Sequence, residues 1–262
     1  MKYVCCYSGG HSSALVAVEA VRKFGAENVI LVNHDISPEV EHEDIKRFKV
    51  EVADYLEIPI TYVNADDWES MTPLNVSSQS RGFQFRVGQA ICTHKLKTAP
   101  FHKWLATNYP ASFDNPNHDI TILYGFDADE PQRIQRRASI LESKGYKSDY
   151  PLANWDRTIF DIEKIGINRP CTYSTFKHTN CVGCLKAGRQ HWYVVYCLYP
   201  DIFAKAVEAE RIIGHSIIKG VYLSELIPKF KAMQEHGIIP SEKEPPQTFW
   251  ARVKREGKSW II

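Results

Sequence analysis

The sequence predicts an α/β protein: a doubly wound parallel sheet with a C-terminal helical, cysteine-bearing extension. Three observations lead there. Short apolar runs alternate with stretches of helical periodicity through the first half of the chain. The first apolar run ends in Ser8-Gly9-Gly10 at the start of a helical pattern. From about residue 151 the alternation gives way to short helices, a cysteine-bearing loop and an aromatic run. Strands separated by helices pair in parallel through crossover connections, which is the arrangement of a doubly wound sheet. The expected division is an α/β domain over 1–150, and a cysteine-bearing helical region with an extended tail packed on it over 151–262.

Taken in order, Tyr3 to Tyr7 reads as a short buried strand, and His11 to Phe24 as a helix with Leu15, Val18 and Val21 on one face. Gly25 stops that helix. Asn28 to Val32 is a second strand and Pro38 to Leu56 a helix. Its early acids Glu39, Glu41, Glu43 and Asp44 suit the positive end of the helix dipole. Pro59 to Val63 is a third strand, followed by an irregular polar stretch to Gly82. A helix over roughly Thr93 to Asn108 precedes a strand at Ile120 to Tyr124. Later come a helix near Asp201 to Ile213 and a proline-bearing tail with Pro240, Pro245 and Pro246, ending in a short apolar patch.

Composition is that of an ordinary globular protein, 44% apolar and 24% charged over 262 residues, with a formal net charge of +1. That balance advertises neither nucleic acid nor an anionic membrane surface. No apolar run approaches the ~20 residues of a membrane span. The N-terminus enters a strand without a signal-peptide pattern, so a reducing cytoplasmic setting is expected, in which the seven cysteines are thiols or ligands rather than disulfides.

The chemistry begins at Ser8-Gly9-Gly10-His11-Ser12-Ser13. A strand turning through two glycines into a helix gathers backbone N–H groups around one concavity, without Cβ atoms to block an anion. Ser8, Ser12 and Ser13 add hydroxyls. The loop is neither Gly-x-Gly-x-x-Gly nor a Walker sequence with Gly-Lys-Ser/Thr. Its bland alternative is a tight turn with Ser12 as helix N-cap. In an open α/β sheet ligands lie beyond the carboxyl ends of the strands, which puts Asn33, His34 and Asp35 after strand two, and Gly125 after the later strand, on the same rim. Asp35 would alternatively cap the next helix. Asp127, Asp129 and Glu130 place three carboxylates within four residues, a set able to hold Mg²⁺. Arg133 beyond them is suited to phosphate oxygens. The alternative here is an acidic first turn on a helix starting near Pro131.

Cys181-Val182-Gly183-Cys184 is a Cys-x-x-Cys knuckle with Cys171 ten residues upstream, a spacing that lets thiolates converge on one ion. The alternatives are a three-cysteine site completed by His178, and buried unligated thiols. Cys5, Cys6 and Cys197 read as core residues.

Ser8-Gly9-Gly10-x-Ser12-Ser13 resembles the pyrophosphate loop of the adenine nucleotide α-hydrolase-like (PP-loop) superfamily. Further segments are similar to its phosphoadenosine phosphosulfate reductase-like branch, in particular bacterial and phage members. These are Val32-Asn33-His34-Asp35, Cys92-Thr93-His94-Lys95-Leu96-Lys97, Gly125-Phe126-Asp127-Ala128-Asp129-Glu130-Pro131 with Arg133, and Cys181-Val182-Gly183-Cys184, in the same order over about residues 1–215. Two departures stand out. Ser12 replaces an aspartate that many members carry, and no cysteine follows Cys197, whereas the reductases attack through a C-terminal Glu-Cys-Gly cysteine.

The resemblance implies an enzyme that binds ATP or a related adenine nucleotide with Mg²⁺, releases pyrophosphate and transfers the adenylyl group to an acceptor in sulfur transfer or nucleic-acid modification. Ser8, Gly9, Gly10, His11, Ser13, Asn33, Asp35, Gly125 and Asp127 would bind the nucleotide, while Ser12, Lys95 and Arg133 would act at the reacting phosphate. Cys92, Cys171, Cys181 and Cys184 would hold a [4Fe–4S] cluster, or Zn²⁺. A sulfur donor or thioredoxin-like reductant and a nucleic-acid substrate are the implied partners. Sulfonucleotide reduction and a non-catalytic nucleotide sensor are the alternative readings.

Overall fold

A computed structural model describes residues 1–85, 88–179 and 181–257. In chain order the elements are β1 (Lys2–Cys6), α1 (His11–Phe24), β2 (Val29–Asn33), α2 (Glu43–Tyr55), β3 (Ile60–Tyr62), α3 (Pro73–Gln79), α4 (Ile91–Thr93) and a π-helical turn at His94–Thr98. They continue with α5 (Ala99–Asn108), β4 (Asn117–Leu123), α6 (Pro131–Glu142), β5 (Tyr146–Asp149), α7 (Pro151–Asn154), α8 (Arg189–Leu198), α9 (Pro200–Ile213), α10 (Leu223–Glu235) and α11 (Pro246–Glu256).

The chain divides into two compact units. One comprises Met1–Asp35, Glu43–Asp66 and Leu96–Pro170; the other comprises Ile36–His42, Asp67–Lys95 and Cys171–Ile262. The first holds the sheet, whose five strands are all parallel in the order β3-β2-β1-β4-β5. Alternate residues of each strand face opposite sides. Cys5 and Leu31 pack with α1 and α2 residues such as Leu15, Val18, Phe48 and Val52. Val4, Val32 and Ile122 pack on the other side with Phe101 and Leu105 of α5 and Leu141 of α6. Helices therefore cover both faces, as the continuous apolar strands require.

Successive connections run outward from β1 through β2 to β3, then from β4 to β5 on the opposite flank. The order reverses between β1 and β4, and the loops that follow those two strands form the switch point at which α/β sheets bind ligands.

Several boundaries differ from the sequence expectation, each for a local reason. Helix α2 begins at Glu43, because Val40 and Glu41 instead donate their N–H groups to the Ser37 carbonyl (both 3.0 Å) in a turn. Strand β5 carries no apolar run; of its four residues only Tyr146 is buried. In the polar stretch before Gly82, Thr72 caps α3 through its hydroxyl (Asn75 N–H, 3.2 Å) ahead of Pro73.

The second unit is helical, and its core gathers Trp192, Tyr193, Phe203, Leu226, Phe230, Met233 and Phe249. Residues 246–256 form a helix rather than an extended tail: Pro246 opens it, and Phe249 and Val253, four apart, bury one face. The terminal apolar patch lies outside the described residues. Among the described residues no helix is long and apolar enough to cross a membrane.

Candidate functional site

Beyond β1 the backbone turns through Gly9, at φ 78°, and enters α1 with Gly10 as its N-cap. No side chain caps the first turn, so its N–H groups, which lack partners one turn back in the helix, face the end of the sheet. The three serines divide their work. Ser13 is buried and braces the loop from within. Its hydroxyl accepts from the Ser8 N–H (3.1 Å), lies 3.2 Å from the Ser8 hydroxyl and donates to the Gly10 carbonyl (2.9 Å). Ser8 and Ser12 are exposed. His11 directs Nε2 at the Ile162 N–H (3.3 Å), with Asp161 Oδ1 3.4 Å away. Burial, then the neighbouring Arg169, lower its pKa. It ties the first turn of α1 to the 161–162 turn.

Gly125 belongs to the same place. A Cβ built there would lie 3.1 Å from the Ser12 carbonyl carbon and oxygen and 3.2 Å from the Ser13 nitrogen, so the β4 loop rests directly on the β1 loop. Phe126 turns inward, while Asp127 and Asp129 are exposed. Glu130 closes the turn. It accepts from the Asp127 N–H (3.2 Å) and from Arg133 (2.5 Å), whose guanidinium lies 4.1 Å from the Phe126 ring centroid. This part of the acidic trio thus behaves as the first turn of α6, and Arg133 is held beside it.

At the end of β2, Asn33 is a buried strut: its amide donates to the Tyr7 carbonyl (2.6 Å). Asp35 receives the Lys49 ammonium (2.9 Å), and its N–H donates to Asn64 (2.7 Å). His34 donates from Nδ1 to the Val63 carbonyl, and burial brings its pKa down to about 4, aided by Lys97.

Lys49 was not among the sequence candidates, yet its side chain is fully buried. The signal was present: Ile45, Phe48, Lys49, Val52 and Ala53 repeat at helical spacing on the buried face of α2.

The remaining candidates lie in the second unit. Lys95 is in the π-helical turn and Cys92 is buried on α4. Cys171 is exposed, with Sγ 4.0 Å from His42 Nε2. Cys181 and Cys184 are half-buried. Their knuckle is shaped by protein groups. Val182 N–H donates to the Val40 carbonyl (2.8 Å), and Cys184 N–H donates to His191 Nε2 (3.2 Å). Nδ1 of the buried His191 donates in turn to Glu242 (3.1 Å). Gly183 is at φ 72°, and a Cβ there would stand 2.8 Å from Ile202. Among the described residues no group of three or more His, Cys, Asp or Glu side chains is disposed to hold a metal ion, and the four candidate cysteines do not converge as such a set.

No family model and no solved structure matches this chain. Among known proteins it is similar to the "Uncharacterized nin region protein ORF290" of Escherichia phage lambda. The two are 28% identical over 216 residues, covering 71% of this chain and 67% of that protein.

Proposed function

We propose that this protein is a PP-loop enzyme that binds ATP or a related adenine nucleotide with Mg²⁺ and cleaves it at the α-phosphate. The observation that carries the reading is the seating of Gly125 against the Ser12–Ser13 backbone. It joins an uncapped helix N-terminus to the second loop of the switch point, and both loops are ones that the resemblance assigns to the nucleotide.

In this reading the acceptor nucleophile forms a bond to the α-phosphorus, the bond to the bridging β-phosphate oxygen breaks, and pyrophosphate leaves with the electron pair. Mg²⁺ would neutralise charge on the phosphates, with the exposed Asp127 and Asp129 as its nearest carboxylates to the loop in sequence. The α1 amides and the Ser8 and Ser12 hydroxyls orient the polyphosphate, and catalysis is largely positional and electrostatic. Arg133 would have to leave Glu130 to meet the ligand. Lys95 is proposed as a second cation on the reacting phosphate. The acceptor is proposed to belong to sulfur transfer or nucleic-acid modification. Cys92, Cys171, Cys181 and Cys184 are proposed as thiolate ligands for [4Fe–4S] or Zn²⁺, which metal analysis of anaerobically purified protein decides.

The test is pyrophosphate release from ATP by purified protein offered sulfur donors and nucleic-acid acceptors. Absence of adenine-nucleotide binding overturns the reading. Sulfite release from phosphoadenosine phosphosulfate with thioredoxin identifies a reductase instead, and binding without turnover a sensor.

A further inference from the structure

The Ser8–Ser13 loop has no lysine of its own. Directly beneath it lies Lys49: a Cβ on Gly9 would come within 2.8 Å of Lys49 Cγ and 3.0 Å of Cδ. The Lys49 carbonyl also accepts from the Tyr7 hydroxyl (3.0 Å), which holds α2 against the end of β1.

An ammonium out of water is costly unless it is paired and hydrogen-bonded. Lys49 Nζ meets Asp35 Oδ1 at 2.9 Å and Asn33 Oδ1 at 3.3 Å. The same Asp35 oxygen lies 3.5 Å from Lys46 Nζ. Two cations therefore share one carboxylate, and these three side chains sum to a formal charge of +1 (two lysines less one aspartate). The other partner, Asn33, is neutral and cannot cancel the excess. Pairing satisfies the buried ammonium, while the second lysine leaves the cluster positive.

We propose that the Lys46–Asp35–Lys49 cluster is the fixed charge by which the loop selects a polyphosphate, acting from beneath the backbone rather than by touching the ligand. This rests on reading the loop as a phosphate site and names what makes it one. The ligand class is inorganic pyrophosphate or the β- and γ-phosphates of a nucleoside triphosphate. Lys46, Asp35 and Lys49 are positioning residues in this account: they set the potential at the loop, to which the α1 amides add their own partial charge.

The experiment measures affinity for inorganic pyrophosphate at low ionic strength by titration calorimetry, on the full chain. The variants are Lys46→Met, Lys49→Met, Asp35→Asn and Asp35→Asn with Lys49→Met, each checked for folding by circular dichroism. Cluster charge is +1 in the unaltered chain, 0 in either lysine variant, +2 in Asp35→Asn and +1 again in the double variant, counted from the same three side chains.

Affinity should follow that order. We expect a loss of about ten-fold in each lysine variant, the scale of one unit charge across several ångströms of protein, a gain in Asp35→Asn, and recovery in the double variant to within about three-fold of the unaltered chain. A merely structural Lys49 would leave the double variant as weak as Lys49→Met, and that result overturns the proposal. If Lys49→Met does not fold, Lys46→Met decides alone, since that lysine is partly exposed: affinity equal to the unaltered chain's rejects the cluster. No pyrophosphate binding by the unaltered chain removes the phosphate-site reading itself, and the inference with it.

Discussion

Gly125 stands so close to Ser12 that one added methyl would lie 3.1 Å from the Ser12 carbonyl. That separation is tighter than ordinary van der Waals contact, so Gly125→Ala must push the two loops apart by a few tenths of an ångström. The expected cost in stability is about 1 kcal/mol, the low end for overpacking. The expected loss in ATP affinity is larger, about ten-fold, because the α1 amides move with Ser12. Parallel denaturation and nucleotide titrations separate the two; equal ATP affinity in the variant would detach Gly125 from the site.

Glu19, buried on α1, accepts from Thr158 N–H (2.6 Å), Ile159 N–H (2.7 Å) and the Thr158 hydroxyl (3.1 Å). Glu19→Ala strands two backbone donors, and we expect a loss of about 2–4 kcal/mol in urea denaturation. Glu19→Gln, which keeps one acceptor oxygen, should lose about half of that. Hydrogen exchange should speed up at 158–162 before it does in β1.

For His34 the sign follows from burial. Its folded pKa, brought down to about 4, lies below the 6.5 of an unperturbed histidine, so folding favours the neutral ring. Its contribution is whole above about pH 6.5 and fades as pH falls toward 4, amounting to at most about 3 kcal/mol. His34→Asn retains an N–H for the Val63 carbonyl. Melting temperature against pH should therefore be flatter between pH 6.5 and 4 in the variant than in the unaltered chain.

The Glu242–His191–Cys184 chain makes a prediction about reactivity. Burial would raise the Glu242 pKa, but the hydrogen bond and charge of His191 outweigh it and hold the carboxyl low. His191→Phe removes the acceptor of the Cys184 N–H. We expect Cys184 to alkylate at least about three-fold faster, read by mass spectrometry of labelled peptides, with about 1–3 kcal/mol lost from the second unit. An unchanged rate would show that His191 does not hold the knuckle.

How much of this was legible beforehand differs by residue. Strands β1 and β2 and helix α1 were readable because Val4–Cys5 and Val29–Val32 are unbroken apolar runs and Gly25 marks a stop. Strand β5 was not, since an edge strand buried only at Tyr146 has no hydrophobic signature. The Ser8–Ser13 loop was visible as a unit, but the inward role of Ser13 and outward role of Ser12 depend on hydrogen bonds that no spacing encodes. Lys49 was hidden by the general rule that lysines face water, although the periodicity of α2 pointed inward. Glu242 and His191 lie 51 residues apart, and nothing local announces their pairing.

The way the backbone is shared between the two units limits how this protein can be divided. The chain passes from one unit to the other five times, after Asp35, His42, Asp66, Lys95 and Pro170. No single cut can release either unit whole. A fragment ending at Pro170 would keep Val40, Leu74 and Val76, which are buried in the intact protein, while losing every residue of their own unit from 171 onward. Expressed halves should therefore be insoluble alone and recover only when co-expressed. A protease nick at the boundary should leave two pieces that travel together until denaturant is added.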